Sequence, residues 1–384
     1  MTIYRNINGV DFGVNINKGN SLLCTPDVAK EIDGDIFEFV EYLYSQTEKY
    51  TPMIATWEIT NCCNFKCPFC YINTPKKPRS VIQSFETMKG YIDDLVNEGL
   101  LIVYLTGGEV LSVPNFKDIY TYLKKKGVFV VLLSNLSLLN EEHISLFTEY
   151  PPMRITSSIY GMTEKQFTSV TGQTNEICQS VLENIIRIQK MGIKVSCQMP
   201  VNKYTVNDLI PISEWCYEHG IRFTFSNELT DSYYHESRSD EFIDDADFEK
   251  LKSQIRQIKA IKSSKTNKIE KKFGYKHHFD CISGKHTFAV SYDGHLRPCF
   301  SIWESDLISF DGSLSMKTAM DQMRQYIESM KKQVIEGCNG CEAVQICSEC
   351  IYTHLKHKIN LSDYISNRCK ENKYLIQDIT TQLV

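Results

Sequence analysis

Three cysteines in one short segment give the strongest chemical signal in the sequence. Cys63, Cys67 and Cys70 are spaced as C-x3-C-x2-C and follow an apolar run at 54–59. Three thiolates on one loop neither complete a four-ligand zinc site nor pair fully into disulfides. They can hold three irons of a [4Fe–4S] cube and leave the fourth iron open. Cys62 breaks the spacing, and we interpret it as a packed neighbour of this cluster loop.

A second set of cysteines lies near the end of the chain, which has 15 cysteines in all. Clustered cysteines are typical of metal ligands, whereas scattered ones are typical of small buried side chains. The second set comprises Cys281, Cys299, Cys338, Cys341, Cys347, Cys350 and Cys369. Its central C-x2-C-x5-C-x2-C spacing also fits a zinc knuckle, so the residues alone leave zinc and iron–sulfur both open. The scattered cysteines are Cys24, Cys178, Cys197 and Cys216.

Polar residues and glycines follow several of the other apolar runs. Gly107-Gly108-Glu109 ends one such run. Two glycines allow close approach of the backbone, and a carboxylate can pair with an ammonium group. Asn135, Ser158 and Gln198 occupy similar positions at later runs. For these three, a satisfied polar group at the rim of a sheet is the alternative to a ligand contact.

These residues need a scaffold that brings the ends of the runs together. Residues 51–235 alternate six apolar runs (54–59, 101–105, 128–133, 153–159, 193–201 and 221–225) with amphipathic stretches (84–99, 115–126, 140–149, 176–191 and 207–219). Such alternation predicts an α/β fold with a buried parallel sheet. Six units predict a partial (β/α)6 TIM-type barrel, whose chemistry lies at the carboxyl ends of its strands.

The remaining segments predict three smaller units. Residues 1–50 predict a β-then-helix cap, with a helix starting at Thr25-Pro26. Residues 236–280 predict a connector made of a solvated helix and a linker. Residues 281–384 predict a cysteine-rich domain that opens with a β-hairpin over 287–298. A type I′ turn is predicted at Asp293-Gly294 of that hairpin.

Composition excludes several classes of partner. The net charge is −5, so no general basic field attracts nucleic acid. No run of 18 apolar residues predicts a membrane span, and the first residues lack a secretory signal. We therefore expect a cytoplasmic protein without nucleic-acid or membrane partners.

The first cysteine set and the strand ends resemble the radical S-adenosylmethionine (SAM) superfamily. The resemblance implies that Cys63, Cys67 and Cys70 hold a cluster whose open iron binds SAM and cleaves it to a 5′-deoxyadenosyl radical. It implies that Phe69 lies against the adenine and that Gly107, Gly108 and Glu109 grip the SAM amino group. It also implies SAM contacts from Asn135, Ser158 and Gln198. A lone cysteine, Cys197 or Cys216, as hydrogen-atom donor is less favoured than a core position.

The second cysteine set resembles the SPASM extension of radical SAM enzymes. The resemblance implies two auxiliary [4Fe–4S] clusters, hence three clusters in total. Cys338, Cys341, Cys347 and Cys369 hold the distal one in this scheme, and Cys281, Cys299 and Cys350 the proximal one. The family usually has three residues before the last cysteine of the middle group, whereas this chain has Ser348 and Glu349. The proximal cluster then has an open iron or a ligand such as His278 or Asp280.

Members with SPASM extensions mostly modify peptides, so the resemblance implies a peptide maturase that forms a crosslink, with a thioether favoured over a carbon–carbon bond. It implies three partners: a precursor peptide, a flavodoxin- or ferredoxin-type electron donor, and a separate leader-binding protein. A strand edge at 9–17 is an alternative leader site. Two other functions remain open. One is a dehydrogenase or epimerase of a small molecule or sulfatase; the other is a non-catalytic electron-transfer or zinc-scaffold protein. No catalytic acid or base is predicted.

Overall fold

The computed structural model describes residues 1–19, 21–32, 35–46, 51–72, 82–226, 243–262, 286–299 and 315–337. The strands are β1 (Thr2–Ile7), β2 (Val10–Asn15), β3 (Ser21–Leu23), β4 (Ile54–Glu58), β5 (Ile102–Thr106), β6 (Phe129–Ser134), β7 (Arg154–Ser158), β8 (Val195–Pro200), β9 (Arg222–Ser226), β10 (Thr287–Val290) and β11 (Leu296–Arg297). The α-helices are α1 (Pro26–Glu31), α2 (Ile36–Ser45), α3 (Phe85–Asn97), α4 (Phe116–Lys125), α5 (Glu141–Glu149), α6 (Glu164–Thr171), α7 (Asn175–Lys190), α8 (Leu209–Glu218), α9 (Asp245–Lys262) and α10 (Met316–Gly337).

One large sheet forms the centre of the molecule. Its strand order is β11-β10-β4-β5-β6-β7-β8-β9, and β4 to β9 are parallel neighbours in chain order. The predicted α/β partial barrel is therefore confirmed. Gly127, Gly192 and Gly220 each follow a helix with φ between 66° and 78°. A left-handed residue at that point ends the helix and turns the chain into the next strand.

A three-stranded antiparallel sheet precedes the barrel, in the order β1-β2-β3. Asn8 and Gly9 both have positive φ, 53° and 82°, which is the backbone of a type I′ hairpin turn. The predicted strand edge at 9–17 is wrong, because β2 pairs with β1 on one side and β3 on the other. Among the described strands of this sheet, the edges are β1 and β3.

The cap closes the amino-terminal end of the barrel. Phe12, Phe39 and Leu43 pack in one core with residues from the beginnings of β5 and β6, such as Ile102 and Phe129. The Arg5 guanidinium donates hydrogen bonds to the carbonyl oxygens of residues 96, 100 and 127, at the helix-to-strand connections. The cap therefore covers the barrel floor, opposite the carboxyl ends of the strands.

The described C-terminal elements join the barrel directly. Strand β10 pairs in parallel with β4, and β11 returns antiparallel to β10. The predicted hairpin is present, but its turn is not type I′, since Gly294 has positive φ (85°) and Asp293 does not. A turn closed by a hydrogen bond from the Gly294 amide to the carbonyl oxygen of residue 291 over 3.1 Å makes the connection instead, with Gly294 in the left-handed conformation.

Two helices extend this arrangement. Helix α9, in the predicted connector, is solvated on one side only, because Phe248 and Ile255 are buried. Helix α10 buries Met316, Met320 and Met323 on one face. In the described part of the chain, no helix combines the length and hydrophobicity needed to cross a membrane.

Candidate functional site

A cavity of about 510 Å³ opens at the carboxyl ends of the barrel strands. Its lining combines the three cysteines of the first set with the strand-end residues that the sequence singled out. These residues are Cys63, Cys67, Phe69, Cys70, Gly107, Gly108, Asn135, Ser158 and Gln198. Glu109 is not part of the lining.

The cysteine loop is held at its base and directs its thiols into this cavity. Cys67 is buried, while Cys63 and Cys70 are half-buried. Burial raises the pKa of Cys67 well above its ordinary value, and repulsion from Cys70 and Cys63 adds to this rise. Among the described residues, no three cysteine, histidine or carboxylate side chains converge on one ion position. Three neighbouring but separated thiols suit a cube, in which each thiolate binds a different iron.

Gly107 and Gly108 line the cavity and also pack against the start of the cysteine loop. The amide of Gly108 donates to the carbonyl oxygen of Thr60 over 2.8 Å, and that of Glu109 donates to Cys62 over 2.7 Å. A Cβ at Gly107 would lie 2.1 Å from the Thr60 oxygen, and one at Gly108 would lie 1.9 Å from the Cys62 oxygen. Gly107 also has φ +134°. Glycine is therefore required at both positions, because the strand end packs directly against the backbone of the cysteine loop.

Glu109 is fully buried beneath the cavity floor. Its Oε1 accepts hydrogen bonds from the Leu111 amide (3.0 Å) and the Ser134 hydroxyl (2.6 Å). Its Oε2 accepts one from the Asn135 amide (2.7 Å). Burial raises the pKa of Glu109, and these three hydrogen bonds oppose the rise. The carboxylate thus joins the end of β5 to the end of β6.

The Asn135 side chain uses its whole hydrogen-bonding capacity inside the protein. Its Oδ1 accepts from the amide (2.9 Å) and hydroxyl (2.6 Å) of Ser137. Its Nδ2 donates to Asn64 Oδ1 (3.1 Å) and to Cys63 Sγ (4.0 Å). A primary amide has two acceptor positions and two donor hydrogens, so none is left for a ligand.

Aromatic rings form the wall beside Cys67 and Cys70. Phe69 packs edge-on against Tyr160, with 5.4 Å between ring centroids, and lies 6.3 Å from Tyr204. Phe65 contacts Phe167 over 5.7 Å. Burial raises the pKa of Tyr160 well above its ordinary value, so this phenol is neutral. The wall is therefore apolar and uncharged, as a surface for a flat ring requires.

Ser158 and Gln198 lie on neighbouring strands, and Ser158 also forms a side-chain hydrogen bond with Tyr160 of the wall. They are paired in the register of β7 and β8, and both line the cavity. Cys197 is fully buried on the other face of β8, as predicted, beside the equally buried Cys216 of α8. Neither thiol lines the cavity, so neither can reach a molecule bound in it.

Part of the predicted site lies outside the described residues. These residues are Cys281, Cys338, Cys341, Cys347, Cys350, Cys369, His278 and Asp280. Cys299 is described and half-buried just after β11, and it does not line the cavity. Strand β11 runs away from the carboxyl edge of the sheet, so Cys299 lies on the return side of the hairpin.

Sequence analysis missed several cavity residues. Thr224, Phe225 and Ser226 extend the lining along β9, and Tyr160 and Ser134 complete it near the cysteines. Phe225 ends the sixth apolar run and Ser226 directly follows it, and this position is the signal that could have identified them. Tyr160 directly follows Ser158-Ile159, so its position just after the fourth apolar run could have identified it.

Comparisons with known proteins agree with this geometry. Residues 57–216 match the profile of the Radical SAM superfamily. The antilisterial bacteriocin subtilosin biosynthesis protein AlbA of Bacillus subtilis is 30% identical over 162 residues, which are 41% of this chain but only 36% of AlbA. The GTP 3′,8-cyclase of Aliarcobacter butzleri is 24% identical over 296 residues, covering 71% of this chain and 86% of that enzyme.

A solved structure extends the likeness in fold. Streptococcus suis SuiB, crystallised with S-adenosylmethionine, superposes with a TM-score of 0.63. The match covers 94% of this chain and 96% of SuiB at 13% sequence identity. The chain therefore has the same fold as SuiB, although the two sequences have diverged widely.

Proposed function

We propose that this chain is a radical SAM peptide maturase that installs a crosslink in a precursor peptide, since residues 57–216 match the Radical SAM profile. One observation carries the proposal: three cysteines, two strand-end glycines and an uncharged aromatic wall surround a single cavity. AlbA is a bacteriocin biosynthesis protein, and SuiB has been crystallised with its precursor peptide SuiA. Both names support a peptide as the substrate.

The thiols present fit the cluster that the family implies. Cys63, Cys67 and Cys70 would hold a [4Fe–4S] cluster, since soft thiolates are the usual ligands of such clusters. When bound, this cluster and SAM supply the 5′-deoxyadenosyl radical that removes a hydrogen atom from the substrate.

The remaining lining residues would bind and orient SAM. We place the adenine against Phe69 and Tyr160, since apolar ring faces suit its stacking. The backbone at Gly107 and Gly108 and the side chains of Ser158 and Gln198 would hold the polar ends. Water is kept from the buried wall at Cys67, which shields a reactive radical from side reactions. The lining along β9 is left for the substrate.

The second cysteine set supports an extended substrate. We propose that Cys338, Cys341, Cys347 and Cys369 hold a distal cluster and that Cys281, Cys299 and Cys350 hold a proximal one. Three protein thiolates leave one position of the proximal set for a substrate thiol, which favours a thioether product. Cys299 lies outside the cavity wall. A peptide, unlike a compact metabolite, is long enough to reach both places.

Two protein partners follow from this chemistry. A flavodoxin- or ferredoxin-type protein would deliver the electron that the cavity cluster needs. The leader part of the precursor would bind a separate protein or an edge of the cap sheet, β1 or β3, by strand addition.

The test is SAM cleavage and iron content after anaerobic reconstitution. Wild type should bind about 12 irons per chain in three cubes and form methionine and 5′-deoxyadenosine with a reductant. The triple variant C63A/C67A/C70A should lose about four irons and all cleavage. C62A is the matched control, because it removes the adjacent cysteine and should leave both values unchanged. Wild-type cleavage in the triple variant would contradict the site.

Analysis of the product distinguishes a thioether from a carbon–carbon crosslink. Mass spectrometry of a precursor peptide should show the loss of two hydrogens for either crosslink. Treatment with a thiol-alkylating reagent then distinguishes them, since a cysteine that still alkylates fully excludes a thioether.

The match to a GTP 3′,8-cyclase favours a second candidate, a radical enzyme that acts on a small molecule. A precursor-peptide gene beside the gene of this chain would support the peptide substrate. Turnover of GTP, with no change in any candidate peptide, would support the small molecule instead.

A further inference from the structure

Asn135 and Glu109 form a connected chain of hydrogen bonds that ends on Cys63. The Glu109 carboxylate accepts a hydrogen bond of 2.7 Å from the backbone amide of Asn135. The Asn135 side chain then donates towards Cys63 Sγ at 4.0 Å. Both residues are almost completely buried. The chain thus links the strand end at Glu109 to the first cysteine of the cavity.

The orientation of the Asn135 amide is fixed by its partners. Two donors of Ser137 face its oxygen, and one acceptor of Asn64 faces its nitrogen. Asn64 Nδ2 donates in turn to Ser137 Oγ over 2.8 Å, which closes a ring of three side chains. A flipped amide would set its nitrogen against the Ser137 backbone N–H and its oxygen against the Asn64 oxygen, so the Asn135 nitrogen faces the sulfur.

Cys63 Sγ receives a second N–H group. The backbone amide of Phe65 donates to it over 3.4 Å. Hydrogen bonds to the sulfurs are among the factors that set the reduction potential of an iron–sulfur cluster. Residues that orient a metal ligand from behind also tune it, and their loss alters affinity or activity.

We propose that Asn135 is a positioning residue that acts through Cys63: it fixes the cysteine loop, donates to the Cys63 sulfur and so raises the reduction potential of the cavity cluster. Glu109 supports it by holding its backbone amide. This inference rests on the proposed cluster at Cys63, Cys67 and Cys70. It gives both residues a different task from the direct SAM contacts expected from the sequence, because their hydrogen-bonding atoms are engaged within the protein.

The direction of the effect follows from charge. A reduced cluster carries one more negative charge, which an N–H donor at its sulfur stabilises. One such hydrogen bond contributes about 1 kcal/mol. At a fixed applied potential, its loss should therefore lower the ratio of reduced to oxidised cluster about fivefold.

The experiment compares N135A and N135D with wild type by redox titration, followed by electron paramagnetic resonance. The part of the spectrum that changes on SAM addition reports the cavity cluster at Cys63, Cys67 and Cys70. N135A should lower its reduced-to-oxidised ratio about fivefold. N135D should lower it further, because a carboxylate removes the donor and adds a negative charge. N135D also keeps the shape and the bonds from Ser137, so it carries the test if N135A is unstable.

Asn184 offers a matched control, because it supports the neighbour of Asn135 and not the cysteine loop. Its buried amide donates to the Leu136 carbonyl over 2.9 Å and to the Ser180 hydroxyl over 3.4 Å. N184A should leave the potential unchanged even where it lowers stability. A shift in N184A equal to that in N135A would overturn the proposal, since loosening of the segment 135–137 would then explain both.

Affinity for SAM provides the second readout. Positioning through Cys63 predicts a shifted potential with SAM affinity changed less than about threefold. Unchanged potential with a large loss of SAM affinity would mean a direct SAM contact and would overturn the inference. A wild-type chain that binds no iron would instead contradict the proposed function, so the two failures are distinguishable.

Discussion

At the scale of single residues, the motif positions act on the protein itself as much as on a ligand. The glycines of the strand end are required by the carbonyl oxygens of Thr60 and Cys62, which lie within 2.1 Å of where their Cβ atoms would be. Sequence motifs locate such residues correctly. A motif does not indicate which atom each residue contacts, because that depends on the three-dimensional packing.

The first prediction concerns Gly108. In G108A the new Cβ would meet the Cys62 carbonyl, so the cysteine loop must move. We expect a loss of about 3 kcal/mol in unfolding free energy and reduced iron binding after reconstitution. Urea unfolding and iron analysis measure the two effects. G90A is the control, because Gly90 on α3 has no atom within 4 Å of a new Cβ. It should be neutral or stabilising by about 0.5–1 kcal/mol.

At the scale of elements, local periodicity predicted the barrel well. Each of the six apolar runs contains most of one strand from β4 to β9, because strand–helix alternation is a local pattern. Helix α6, with only 8 residues, was too short for its periodicity to be recognised. The pairing of β10 with β4 joins segments more than 200 residues apart, which no local pattern reports.

The second prediction concerns the helix α4, whose Lys124 is 1% exposed. Its ammonium donates to the Pro151 carbonyl over 3.0 Å and so ties α4 to the connection before β7. Burial lowers the pKa of Lys124 to about 8 from 10.5. Between these values the unfolded chain binds more protons than the folded one. The contribution of Lys124 to the free energy of unfolding therefore rises as pH increases from about 8 to about 10.5.

K124M removes this dependence. Relative to wild type, K124M should lose stability by up to about 3 kcal/mol between pH 7 and pH 10.5, since only wild type gains from deprotonation. Urea unfolding at several pH values measures the difference in unfolding free energy between K124M and wild type. The contributions of other titrating groups cancel in this difference. K125M replaces the adjacent exposed lysine and is the matched control. A similar slope in both variants would show that burial of Lys124 is not its cause.

At the scale of the whole molecule, the cap and the barrel share one core. Arg5 of β1 bonds to three carbonyl oxygens of the barrel connections. Tyr44 of α2 stacks on His286, which precedes β10, with 3.6 Å between ring centroids. The floor of the barrel is therefore complete only when the first 46 residues are folded. This coupling predicts one cooperative unfolding transition for both parts.

Phe39 tests that coupling, because its fully buried ring lies in the cap and contacts Phe12 edge-on at 5.0 Å. Truncation in F39A should cost about 3–5 kcal/mol of unfolding free energy. The tryptophans, at 57, 215 and 303, all lie outside the cap, so their fluorescence reports only the rest of the chain. If cap and barrel unfold together, F39A lowers the urea midpoint of fluorescence and of circular dichroism equally. Y4A, which truncates an exposed cap residue, should change both by less than about 0.5 kcal/mol. An unchanged fluorescence midpoint in F39A would show that the barrel stays folded without its cap, because the tryptophans would then not sense the loss of Phe39.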